Sequence, residues 1–341
     1  MSSPFFKSSP STKSSLFTSS HLLKPLPLRM ALAGSGLLLA TLSAPASAAE
    51  DASVVFSAPP WPGVTMKTEI ASEVFEALGY SPSTRQLGAQ ITYEGMSLGE
   101  VDAFLAAWLP AQSNMYDAAM EKGTLVDMGN NVEGARLGFA VPGYVAEAGV
   151  TSNKDLDKPE FADKFEKTIY SIEIGSGASE IVNKAVDGDI YGLGDWDLKE
   201  SSTPGMLATV ANSSKSKEWI LFVGWTPHWM NIEYDMVFLD DPDDMWGPGG
   251  GASDVKTLAN KAWSEAHPNA TRLLDQLAFS SDDQSALIYG YGKEEKPQEE
   301  VAGEWMKANP AKVKAWLEGV TTRDGEPAWP AVKEALSLPE A

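Results

Sequence analysis

Apolar and polar positions along the chain change period repeatedly. Ser53-Val54-Val55-Phe56 reads as a strand, broken by Ala58-Pro59-Pro60-Trp61-Pro62-Gly63. Residues 65–80 place Ile70, Val74, Phe75 and Leu78 at helical spacing, with Gly79 as the stop. Ile91-Thr92-Tyr93 suggests a short strand, then a short helix at 96–99 and a strand at 101–105 that runs into Ala107-Trp108-Leu109-Pro110. Buried strands are predicted at 135–144, interrupted by Pro142, at 168–174 and at 220–223, with a further strand at 234–239. Between them lie a helix after Gly175-Ser176-Gly177-Ala178-Ser179 and another near 205–211. Helices dominate the last third, at 255–265, 271–278, 281–290, 298–308 and 310–319. No internal repeat interrupts the series.

Strands alternating with helices predict an α/β fold with largely parallel sheets, in which ligands bind beyond the carboxyl ends of strands. Trp61, Trp108, Trp225 and Ser176 all fall at such ends. Two indoles, Trp225 and Trp229, flank Pro227 and His228 where a polar turn would be ordinary.

Charge and the N-terminus narrow the class. Residues 1–24 are rich in Ser, Pro and Lys and hold no acid; Arg29 precedes the apolar run MALAGSGLLLATLSA, which Ala46-Ser47-Ala48 closes. This is the pattern of a cleavable signal peptide over residues 1–48, and it implies export to the periplasm. The run is too short and too glycine-rich for a membrane span. Beyond residue 48 the chain carries 22 basic and 47 acidic side chains, a formal charge of −25. Nucleic acid needs a basic footprint and is excluded as a partner. The chain has no cysteine, and only His228 and His267 remain after the signal, so thiolate chemistry, disulfides and a multi-histidine metal centre are excluded. No cofactor or metal is expected.

Indoles gathered at strand ends suit a sugar stacked by its C–H faces, or a quaternary ammonium held over the rings. Such a cation donates no strong hydrogen bond, so aromatic faces are its natural receptor, worth about 2 kcal/mol or more each when desolvated. Three or four faces then suffice for micromolar binding. Trp263, Trp305 and Trp316 sit on amphipathic helices and read as core, as do Trp196, Trp219 and Trp329.

Trp108-Leu109-Pro110 and Gly224-Trp225-Thr226-Pro227-His228 resemble motifs of the glycine betaine/choline/proline-betaine-binding proteins of ABC importers. So do Trp61 with the helix ending Glu76-Ala77-Leu78-Gly79-Tyr80, Gly134-Ala135-Arg136, and the closing Trp316-Leu317 with Gly319-Val320. The resemblance covers nearly the whole chain beyond the signal, in order. It implies a two-lobed periplasmic-binding-protein fold of type II, with two crossovers and a ligand cleft between the lobes. It also implies delivery to an ABC permease in the inner membrane, and binding without turnover. The lobes are expected at 49–138 with 233–341, and at 139–232, Pro142 and Met230-Asn231 marking the crossings. Separate sheets are expected to hold Phe104 and Ile172.

The cage tryptophans of the family carry over onto Trp61, Trp108 and Trp225. Leu137 replaces a cage tyrosine of the choline-binding branch, Gly63 replaces an Asp, and Ser176 replaces an Asn. Trp229 could supply the missing face. Gly175-Ser176-Gly177 opens a helix, and could hold a ligand carboxylate or serve as an ordinary cap. His228 reads as a hydrogen-bonding ring between two indoles, or as a rim contact. With no acid at Gly63 to accept a choline hydroxyl, a carboxylate zwitterion should bind more tightly than choline. The acidic run 240–244 lacks the spacing of a calcium loop and reads as a solvated turn. The protein is expected to be a monomer. A ligand sensor of the same fold is one alternative. A secreted carbohydrate-active enzyme using Glu94, Asp102 or Glu173 is another.

Overall fold

The structure is a computed structural model that describes residues 52–341, so the signal segment expected at 1–48 lies outside the described residues. Nine strands occur among the described residues: β1 Ser53–Ser57, β2 Ser81–Arg85, β3 Ala103–Leu109, β4 Leu125–Pro142, β5 Thr168–Ser171, β6 Asp197–Glu200, β7 Leu221–Thr226, β8 Met236–Phe238 and β9 Ala252–Asn260. They hydrogen-bond in the order β2-β1-β3-β9-β4-β7-β5-β6, with β8 also on β4. The outer pairs β1–β2, β1–β3, β5–β6 and β5–β7 are parallel, as βαβ units require. The centre is antiparallel, because β4 pairs with β9, β7 and β8.

β4 accounts for the difference from the sequence reading. It runs 18 residues without a break at Pro142, which instead closes the strand and precedes the helix Gly143–Glu147. Its first part pairs with β9 and its last part with β7; Arg136 faces Ala252 on one side and Thr226 on the other. Register shifts between Asp127 and Ala135 bend it on the way. A crossing made of paired strands joins Phe104 and the β5 edge in one hydrogen-bonded path, where two separate sheets are expected from the sequence. β9 is the second surprise: residues 252–260 form a strand where a helix is expected, and only Lys261–Ala266 is helical. Conversely, Ile91-Thr92-Tyr93 belongs to the helix Ala89–Leu98, with Thr92 Oγ1 held 2.7 Å from Ser57 Oγ beneath it.

The hydrophobic interior separates into two lobes. In the first, Phe56, Ile70 and Phe75 pack with Trp305 and Trp316, whose rings stack 5.7 Å apart, while Val64, Met96 and Phe104 fill the other face of the sheet with Leu258. In the second, Phe139, Ile169, Val182 and Phe222 surround Trp246, which meets Phe139 edge-on at 5.1 Å. Leu239, Met245 and Trp246 still belong to the second core, and the chain rejoins the first at Val255 after the stretch 247–251.

Two buried polar groups tie these layers together. Lys67, on the helix Pro62–Ala77, donates to Asn131 Oδ1; Asn131 in turn donates to Leu105 O and Thr257 Oγ1, each at 3.0 Å. Burial pulls the Lys67 ammonium down to about 7. Asp241 is buried rather than solvated: Oδ1 accepts from Tyr191 Oη at 2.7 Å and Asn153 Nδ2 at 3.1 Å, and Oδ2 accepts from the Trp246 amide at 2.7 Å.

Candidate functional site

Trp61 stands at the start of the helix Pro62–Ala77, where Pro62 occupies the first turn without a lost hydrogen bond. Trp108 is the penultimate residue of β3 and Trp225 the penultimate residue of β7, so both indoles lie within strand ends rather than past them. The three rings line one pocket at the junction of the two lobes, together with Leu137 of β4 and Ile172 just after β5. The space between these walls is about 430 Å³ when the open mouth is included.

Ser176, Gly177 and Ala178 complete the wall at the start of the helix Gly177–Asp187. The Ser176 hydroxyl oxygen accepts from the Ser179 amide at 3.1 Å, which leaves its own proton free to donate. The first-turn amides of Gly177 and Ala178 have no acceptor within the helix. The start of a helix is the end at which negative charge is favoured. None of the ten lining residues carries a carboxylate.

Gly177 also marks where the lobes meet. A Cβ on it would stand 2.6 Å from the Ala111 carbonyl oxygen, on the loop after β3. Ala111 and Gln112 line the pocket beside it. Gln112 is buried, accepts from Tyr93 Oη at 3.0 Å, and its amide donates to Trp108 O at 2.8 Å, so it fixes the loop that carries Trp108.

Of the residues singled out from sequence, Trp61, Trp108, Trp225, Ser176 and Gly177 come together in this pocket. Four others do not line it. Gly175 adopts a φ of 78° and shapes the turn that presents Ser176. Gly63 faces the helix Ser281–Gly292, since a Cβ there would meet Gln284 Nε2 at 2.7 Å and Ile288 Cδ1 at 3.3 Å. That places it one helix face away from the indoles. His228 is buried behind Trp225, its ring 5.0 Å from that of Trp225 and 5.0 Å from that of Trp229. Its Nδ1 accepts from the Met230 amide at 3.1 Å, and burial pulls its pKa down to about 3, so it is a neutral ring. Trp229 lies beyond His228, in an outer groove with Pro62, Tyr234 and Tyr291. Leu137 therefore lines this pocket and Trp229 does not. Ala111, Gln112, Ile172 and Ala178 are lining residues that sequence reasoning missed; all four adjoin strand ends already marked by Trp108 and Ser176.

The carboxylates near strand ends are engaged elsewhere. Asp102 accepts from the Val55 amide at 2.8 Å. Glu173 caps the helix Thr203–Ser216, accepting from the Thr203 amide at 2.7 Å and its hydroxyl at 3.0 Å; burial raises its pKa. Glu94 lies on the helix Ala89–Leu98, along a different groove.

Residues 52–308 match the family described as the substrate binding domain of the ABC-type glycine betaine transport system. The chain belongs to this family. Among its relatives, the glycine betaine/carnitine transport binding protein of Listeria monocytogenes is 34% identical over 184 residues, 53% of this chain and 59% of that protein. The match thus spans little more than half of that relative. A solved ABC-transporter choline-binding protein in complex with choline is similar in fold, with a TM-score of 0.81 and 31% identity over 84% of this chain and 98% of that one. The unliganded semi-closed form of an ABC-transporter choline-binding protein has a TM-score of 0.76 and 32% identity, over 84% of this chain and 99% of that one. Members of the family are transport binding proteins, and among the described residues no helix is long and apolar enough to cross a membrane.

Proposed function

We propose that this substrate-binding protein captures a small zwitterion bearing a quaternary ammonium or sulfonium and a carboxylate, as glycine betaine does. The observation that carries the reading is the polarity of the pocket. Three indole faces supply the receptor for a cation that cannot donate hydrogen bonds. The same pocket is lined by Ser176, Gly177 and Ala178 at the start of a helix, whose hydroxyl and first-turn amides are donors suited to a carboxylate. Choline would bring a hydroxyl that needs an acceptor, and no lining side chain is acidic. The names of the relatives, glycine betaine/carnitine and choline binding, keep both chemistries in view and make the comparison decisive.

On this reading Trp61, Trp108 and Trp225 hold the cation, and Ser176, Gly177 and Ala178 hold the anion. The chain is exported to the periplasm through its first 48 residues, works as a monomer, and delivers its cargo to an ABC permease. The lobes exchange the chain near 136–138 and 247–252 and close over the ligand. The outward engagement of Glu94, Asp102 and Glu173 speaks against hydrolysis in this pocket.

Calorimetric titration with glycine betaine, proline betaine, carnitine, dimethylsulfoniopropionate and choline tests the proposal. A carboxylate zwitterion is expected to bind most tightly. Choline binding tenfold more tightly than every betaine would overturn it.

A further inference from the structure

Trp225 and Trp229 are four residues apart, yet they serve opposite sides of one ring. The imidazole of His228 lies between them, edge-on to Trp225 at 66° and inclined to Trp229 by 36°. Trp229 then reaches the other lobe. A Cβ on Gly292, at the end of the helix Ser281–Gly292, would be 3.5 Å from Trp229 Nε1 and 3.2 Å from Pro62 Cγ. The indole thus lies at van der Waals range of the end of this helix, beside the proline that adjoins cage residue Trp61. Continuous contact therefore runs from one cage wall, Trp225, through His228 and Trp229 to the base of the opposite wall.

The same place carries a polar clamp. Lys293, one residue past Gly292, sits 4.9 Å from the centre of the Trp229 ring and pairs with Glu233 at 2.8 Å. Glu233 follows Trp229 on the short helix Met230–Glu233, and Tyr234 meets the indole edge-on at 5.6 Å. Lys293 belongs to the first lobe and Glu233 to the second. Both side chains are partly exposed, so the pair is built at the seam and not in a core.

We propose that Trp229 and the Lys293–Glu233 pair form a latch between the lobes, holding the closed form and fixing Trp225 against Trp61. These are positioning residues that never touch the ligand and yet set how long it stays bound. A contact made only in the closed form lowers the escape rate of the ligand while leaving capture by the open form unchanged. This inference rests on the proposed capture of a zwitterion by lobe closure.

The absence of cysteine makes the lobes separately addressable. Leu98 and Ile190 are exposed, one on each lobe, and Leu98→Cys with Ile190→Cys accepts a pair of spin labels. Inter-label distances are measured with and without glycine betaine, and its dissociation is followed by stopped flow. Lys293→Met and Glu233→Gln are each expected to speed dissociation about fivefold, with association changed less than twofold. The double variant should be no faster than the faster single one, because the two side chains act as one pair. Lys293→Arg should stay within twofold of the wild type. In the ligand-free protein, the closed fraction should fall in both single variants. Trp229→Leu should do the same, and the surface variants keep the test valid if it does not fold. Dissociation rates and closed fractions equal to the wild type in both Lys293→Met and Glu233→Gln would overturn the latch. A wild type that glycine betaine fails to close would instead overturn the ligand reading, and the latch would then be judged on the ligand-free closed fraction.

Discussion

Gly177 lies so close to Ala111 that an added Cβ would stand 2.6 Å from the carbonyl oxygen and 2.8 Å from the carbonyl carbon. The obstacle is backbone on the facing lobe, which cannot rotate away as a side chain could. A methyl group here should prop the cleft open while leaving each lobe intact. Gly177→Ala is therefore expected to weaken glycine betaine binding by about 1–3 kcal/mol, the usual cost of overpacking. Its ligand-free melting temperature should stay within about 2 °C of the wild type, since each lobe is unchanged. Calorimetry and thermal melts together check this; an unchanged affinity would mean that the seam is loose.

Trp225 contributes a ring face to the pocket and packs on His228 behind it. Trp225→Ala should lose about 1–3 kcal/mol of binding, and Trp225→Phe less, because a smaller aromatic face remains. Equal losses would show that the indole only fills volume.

The resemblance read from the sequence puts Gly63 where the choline-binding branch has an acid, and so implies that Gly63→Asp would shift selectivity toward choline. The structure turns it into a packing change, because the new side chain would run into Gln284 and Ile288. Gly63→Asp should cost about 2–4 kcal/mol of stability, through overpacking and a poorly solvated carboxylate. The ratio of betaine to choline affinity should stay within about twofold, well under the tenfold that 1.4 kcal/mol would produce. A melt and two titrations separate these outcomes.

Glu73 sits on the half-buried flank of the helix Pro62–Ala77. Burial, and then repulsion from Glu69, Glu299 and Glu76, push its carboxyl up to about 7, against a smaller opposing pull from Lys307. A carboxyl with a raised folded pKa stabilises the fold most below its unfolded value, and that contribution disappears as pH rises through about 7. Glu73→Gln cannot ionise. Its melting temperature relative to the wild type should therefore rise between pH 5 and pH 8, by about 1–3 °C given the solvent screening at this site. A difference that is flat over this interval would show that Glu73 titrates normally.

The local elements were largely readable in the chain, because helical spacing at Ile70, Val74 and Phe75 and capping at Ser176 act over a few residues. So was the gathering of indoles at the ends of β3 and β7 and before the helix Pro62–Ala77, since Trp61, Trp108 and Trp225 line one pocket. What the chain alone could not determine was anything that depends on its second pass through the molecule. Residues 255–260 carry no alternation that distinguishes strand from helix, and they become β9 because β3 and β4 offer paired edges on both sides. The tertiary structure also decided which indole lines the central pocket. Trp225, inside β7, points into the pocket, while Trp229 falls in the turn beyond it and is carried behind His228 onto Gly292. Gly63 is separated from the cage for the same reason, since the helix Ser281–Gly292 packs on its face. Local spacing sets the direction of a side chain relative to its own element; only the packing of elements distant in sequence decides what that direction meets.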